Sequence, residues 1–282
     1  MNAIEIFIKS IADWTVDVPT FYGWFHLVWL GITAVSCAVV FAMHGKISQK
    51  AVDITLIVWG TALILLEIIK QLLCSFHYDG QTVTWSYGWW VFPFQFCSCP
   101  LYLALPAGII RKGKVKDALL SFLASYALFG GLVALVYPAN MFTTSGFLSM
   151  HTMLWHSSMV VICTMLFASG AVKPTFKKLL SATVIFIILA TIAVILNVIV
   201  SNCTDISGFN MFFISPYESW DVPIVKLIFD NVPYPVYLML YLLGFFAAAG
   251  LVFLTAHGIA KIYRGKEICE PNEENVNQTK IK

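Results

Sequence analysis

The chain has 282 residues, of which 59% are hydrophobic and only 11% charged, with a formal net charge of +2 and a mean hydropathy of +0.82. A water-soluble domain carries roughly a quarter of its residues as charges, so this composition excludes one and leaves an integral membrane protein. With so small a net charge, where the basic residues fall matters more than their total.

The first twenty residues lack the basic start and continuous apolar core of a cleavable signal peptide. Ile4, Phe7, Ile8 and Ile11 recur at helical spacing among Glu5, Lys9 and Asp13. That pattern predicts a short amphipathic helix on the membrane surface within residues 1–21. Seven apolar blocks follow, at about 22–43, 52–76, 89–110, 118–136, 147–169, 179–200 and 236–262. A block of about 20 residues crosses a hydrocarbon core of about 30 Å. Backbone groups cannot stay unpaired in lipid, so each block is expected to be a helix. The expectation is an all-α integral membrane protein, a seven-transmembrane-helix bundle over residues 22–262. The stretch 201–235 holds Gly208, Pro216, Pro223, Pro233 and Pro235 and is expected to fold over one membrane face. Residues 263–282 form a polar tail. No internal repeat and no separate soluble domain is visible.

Fourteen of the seventeen Lys and Arg residues lie in the first, third and fifth loops and the tail; the exceptions are Lys9, Lys70 and Lys226. By the positive-inside rule those segments are cytoplasmic. Seven spans then leave the N-terminus outside and the C-terminus in the cytoplasm, as in a multi-pass protein of the cell membrane.

Polar side chains inside a membrane are costly and usually face a protein interior or a wet cavity. Here they are His26 in the first span, Glu67, Lys70 and Gln71 in the second, Gln95, Cys97 and Cys99 in the third, His151 and His156 in the fifth and Asn197 in the sixth. At about 1.5 Å per helical residue, His26 and His151 lie roughly 6 Å below the outer ends of their spans, and Cys97 and Glu67 roughly 12–14 Å. All fall in the outer half. Interhelical hydrogen bonding would account for any one of them; a shared polar pocket accounts for the set.

Glu67, Lys70 and Gln71 are spaced to share one helix face. Pro100 predicts a kink near Phe96. On a regular helix Cys97 and Cys99 point about 200° apart, so they do not chelate one metal together. His151 and His156, at i,i+5, lack the i,i+4 spacing of a zinc pair. No metal or other cofactor is expected, and nucleic acid is not an expected partner. The cysteines are scattered through apolar blocks and form no disulfide framework, although a Cys74–Cys203 bridge stays open. A cysteine with a histidine at comparable depth is the minimum for covalent acyl transfer, because the imidazole takes the thiol proton.

Four patches, Glu67-Ile-Ile-Lys70, Pro93-Phe-Gln-Phe-Cys97, His151-Thr-Met-Leu-Trp and Asn210-Met211 before Pro216, resemble the YwaF / transmembrane protein 164 family of integral membrane proteins. The resemblance implies a seven-helix fold and, for the eukaryotic branch, acyl transfer on phospholipids by a cysteine and a histidine matching Cys97 and His151. The chain departs from that branch in Gln95 before the cysteine, in Ser98 where a histidine often follows, and in Cys99. On this reading Cys97 is the nucleophile and His151 the base, with Glu67, Lys70, Gln71, Gln95, Asn197, Asn210 and His26 in support. Membrane lipids are the expected substrate. An acyl-ester hydrolase, or a transporter using the same polar residues, is the alternative. A retinal-type receptor is not, since the seventh block has no mid-helix lysine.

Overall fold

The apolar blocks do fold as helices, with one exception. The computed structural model describes residues 3–78, 82–138, 141–219 and 223–269. In chain order these form α1 (Ala3–Ala12), α2 (Trp24–Ala42), α3 (Gln49–Ser75), a hairpin of β1 (Phe76–Tyr78) and β2 (Val83–Trp85), and α4 (Cys99–Ile109). Next come α5 (Lys114–Phe122) and α6 (Leu128–Val136), fused through a π-helical turn, Leu123–Ala127. The remainder is α7 (Gly146–Ala168), α8 (Phe176–Cys203), α9 (Pro223–Asn231) and α10 (Tyr234–Cys269). Ser48, Ser145 and Thr175 cap α3, α7 and α8 by accepting from backbone N–H groups of the first turn.

Six helices among the described residues are long and apolar enough to cross a membrane: α2, α3, the continuous Lys114–Val136, α7, α8 and the Tyr234–Lys261 part of α10. The block at 89–110 is the exception. Only its second half is a regular helix, the eleven residues of α4; Trp89–Val91 and Phe96–Ser98 are single 3₁₀ turns around an extended stretch. Proline explains the change. Pro93 lacks a helical donor, and Pro100 stands in the first turn of α4, where a missing N–H goes unneeded. Pro100 therefore starts a helix and does not kink one. Helix α3 ends at Ser75, and Phe76 pairs with Trp85 in the hairpin.

Close approach fixes α4 against α3. A Cβ on Gly60 would come within 2.7 Å of the Leu105 backbone N, and one on Gly108 within 2.8 Å of the Asp53 carbonyl oxygen. Hydrogen bonds tie α7 to its neighbours, Thr33 to Ser157 at 2.8 Å from α2 and the Trp59 indole to Ser158 at 3.0 Å from α3. At the centre, rings stack in series: Phe122 on Tyr126, Tyr126 on Phe186 at 4.6 Å and Phe186 on Phe245 at 5.4 Å.

The bundle has two chemically distinct ends. At one, Lys116 pairs with Asp53 and Lys178 with Asp117, both at 2.6 Å, and Gly45 N–H donates to the Ala168 carbonyl. These contacts bring the three basic loops together. At the other end, Val16 N–H donates to the Thr144 carbonyl and the Tyr22 hydroxyl to the Val136 carbonyl. Helix α1 lies at this second end with Ile8 buried and Ile6 and Phe7 exposed.

Candidate functional site

The irregular stretch before α4 carries backbone groups that must be satisfied away from water. Side chains from three directions do so. The Tyr102 hydroxyl donates to the Pro93 carbonyl at 2.5 Å, and the Trp155 indole to the Cys97 carbonyl at 2.9 Å. Gln95 reaches in the third direction. It accepts from Phe212 N–H at 3.1 Å and donates to the Asn210 carbonyl at 3.0 Å.

The partner in that last contact is an inserted loop, 208–215. Asn197, fully buried on α8, clasps Met211 at both backbone groups, accepting from its N–H at 2.7 Å and donating to its carbonyl at 2.9 Å. Asn210 closes the loop on itself through Ser215 N–H and the Glu218 carbonyl. Tyr241, Tyr237 and Tyr234 of α10 then donate in turn to the carbonyls of Phe212, Phe213 and Ile214, at 2.7, 2.7 and 2.8 Å. Phe212 and Phe213 both take φ of 57°, in the left-handed region that bulky residues avoid. The surrounding clamps hold them there. Phe212 is fully buried, its ring against Phe94, Phe96 and Phe186.

Gln95, Asn197 and Asn210 thus each anchor this loop. His26 also has both ring nitrogens engaged, with Tyr22 N–H at 3.0 Å and the Leu135 carbonyl at 2.7 Å. It joins α2 to the end of α6.

A second set of polar residues gathers around Lys70. Its ammonium contacts Glu67 Oε1 at 2.8 Å, and the same oxygen accepts from Gln71 at 2.6 Å. Gln71 also donates to the Val91 carbonyl at 2.7 Å, which ties α3 to the irregular stretch. The His151 ring stacks on Trp155, the residue whose indole holds the Cys97 carbonyl. The described residues contain three buried side-chain polar atoms without a hydrogen-bond partner: Glu67 Oε2, His151 Nε2 and His156 Nε2. Buried polar atoms are normally paired, so orphans mark either strain or a place for a ligand. Glu67 belongs to the set around Lys70, and His151 lies against Trp155, beside Cys97. His156 bonds the Thr152 carbonyl through Nδ1 on another face of α7.

The structure therefore joins Glu67, Lys70 and Gln71 on one face of α3 and sets Cys97 and His151 on either side of Trp155, while His26, Asn197 and Asn210 serve backbone elsewhere and Gln95 ties the irregular stretch to the loop. Sequence reasoning missed Trp155 and the tyrosine ladder. The spacing of Tyr234, Tyr237 and Tyr241 on one helix face was the available signal for the latter. Cys99 is buried at the start of α4, and Cys74 and Cys203 are free thiols. Two cavities lie away from the cluster. One of about 250 Å³ is lined by Trp14, Trp24, Phe25 and Gly146, and one of about 310 Å³ runs along α10.

The membrane-crossing helices make this a multi-pass membrane protein. No curated protein and no solved structure matches the chain. The TMEM164 family model matches residues 21–255, from the approach to α2 well into α10, and the chain belongs to the TMEM164 family.

Proposed function

We propose that this protein is a lipid-modifying enzyme of the cell membrane, which transfers acyl groups between phospholipids through Cys97 and His151. Its chain crosses the bilayer seven times, the third crossing being the broken segment that ends in α4. The N-terminus is outside, the basic loops are cytoplasmic, and the Cys97 cluster lies in the outer half.

The observation that supports the reading is Trp155, whose indole holds the Cys97 carbonyl while its ring stacks on His151, with His151 Nε2 buried and lacking a partner. His151 Nε2 takes the thiol proton as Cys97 sulfur attacks the ester carbonyl carbon. The carbon–oxygen ester bond breaks, a thioester forms, and the proton passes to the departing alcohol. An acceptor hydroxyl then attacks the thioester and gives its proton to His151; the carbon–sulfur bond breaks, and His151 returns that proton to the departing thiolate. Lys70 stabilises the negative charge that develops on the carbonyl oxygen.

The test is acyl exchange between a phospholipid and a lysophospholipid in vesicles containing the purified protein, followed by mass spectrometry. Cys97→Ala and His151→Gln should each reduce exchange by about 10³-fold or more. Full exchange by folded Cys97→Ala would refute the reading.

The broken crossing favours a second reading, a transporter, because discontinuous helices commonly line transport sites. In that case a labelled lipid would cross vesicles chemically unchanged, whether or not Cys97 is present.

A further inference from the structure

The cavity of about 310 Å³ has no part in the chemistry around Cys97. It is a cleft between α10 and the bodies of α2, α6 and α7, lined by Leu128, Phe129 and Phe167 on the bundle side and by Ala256 on α10. Along α10 its lining runs from Ala248 to Ala260, a rise of about 18 Å. One leaflet of a hydrocarbon core of about 30 Å has nearly that depth. The cleft begins at the basic end, where His44 lines it, and on the Lys114–Val136 span it is lined by Leu128, Phe129 and Leu132.

Charge at its mouth selects the occupant. The three loops gathered at that end hold nine Lys or Arg residues and two carboxylates, Asp53 and Asp117, each already paired with a lysine. Lys46 follows His44 by two residues, and the Gly45–Ala168 hydrogen bond fixes the first loop beside the end of α7. Lys261 likewise follows the lining residue Ala260, and an apolar slot with cations beside its mouth suits a single anionic lipid.

We propose that this cleft binds one acyl chain of an anionic phospholipid from the leaflet at the basic end, with the headgroup held by the loop lysines. Bulk lipid would coat the outer faces of the helices without regard to headgroup; this site prefers a negative one. The proposal needs only that the bundle sits in a membrane, so it stands or falls separately from acyl transfer.

The experiment uses the full chain in vesicles containing either phosphatidylglycerol or phosphatidylcholine with a photoreactive group midway along one acyl chain. Adducts are mapped by peptide mass spectrometry. Adducts on cleft-lining peptides of α6, α7 and α10 should be about fivefold more abundant with phosphatidylglycerol, the effect of about one basic group near the headgroup. Ala256→Trp, which fills the slot, should reduce them about fivefold by the same measure. Leu254→Trp, on a face of α10 that is 68% exposed, should leave them unchanged. Should Ala256→Trp fail to fold, Ala248→Phe makes the same test. Equal labelling by the two lipids, adducts insensitive to filling the slot, or crosslinked dimers in place of lipid adducts would each overturn the proposal.

Discussion

Asn197 satisfies both backbone groups of Met211 from a site with no exposure to solvent. Removing the amide strands a buried N–H and a buried carbonyl, each expensive once its partner is gone. Asn197→Ala should therefore lower stability by about 2–4 kcal/mol. Thermal unfolding in detergent checks it, and an unchanged midpoint would show that the loop finds other partners. Trp155 differs in kind. Its indole fixes the Cys97 carbonyl and its ring supports His151, so one residue positions two members of the cluster. Trp155→Phe keeps the stacking surface and removes only the donor. It should slow Cys97 alkylation or exchange more than it lowers stability, for which the expected loss is about 1 kcal/mol. Equal effects on both would reduce Trp155 to a packing residue.

At the scale of elements, the inserted loop and the irregular stretch before α4 depend on each other. Gln95 lends its amide to the loop, while the loop packs Phe212 against Phe94 and Phe96. The tyrosine ladder of α10 supplies the donors for three successive carbonyls of this loop. Tyr241 lies farthest along α10 of the three, and Tyr241→Phe leaves the Phe212 carbonyl buried without a donor. Hydrogen exchange in 208–215 should then quicken by about tenfold, as a local loss of about 1–1.5 kcal/mol requires. Unchanged exchange would mean that the other clamps suffice. The close contact of α3 with α4 is a separate joint. Gly60→Leu would drive a side chain into the Leu105 backbone, and α4, being short, has little else to hold it.

At the scale of the molecule, the proposed orientation makes a prediction about access. Cys203 ends α8 as an exposed thiol, at the end opposite the basic loops. On intact cells a membrane-impermeant maleimide should label Cys203 and lose its signal in Cys203→Ser. A cysteine introduced by Lys173→Cys should label only after permeabilisation. The reverse pattern would invert the protein. Membership of the TMEM164 family, over residues 21–255, agrees with the resemblance read from the four sequence patches. The six long helices were legible because a run of about 20 apolar residues has one solution in lipid.

The sequence by itself determined that the chain is a membrane protein, where its long helices lie, and that basic residues concentrate in alternate connections. Those properties follow from composition and from backbone hydrogen bonding, which are local. It also flagged Glu67, Lys70, Cys97 and His151, since polar groups in apolar blocks stand out. Only the tertiary structure decided what each of them touches. Gln95, Asn197 and Asn210 were as conspicuous as Cys97, yet they serve the backbone of a loop whose insertion no periodicity announces. The third block was apolar enough to read as a helix, but its prolines and the hydrogen-bond partners waiting on α4, α7 and the loop made irregular backbone affordable there. Hydropathy registers how badly a segment tolerates water. It does not register what the neighbouring segments offer in exchange.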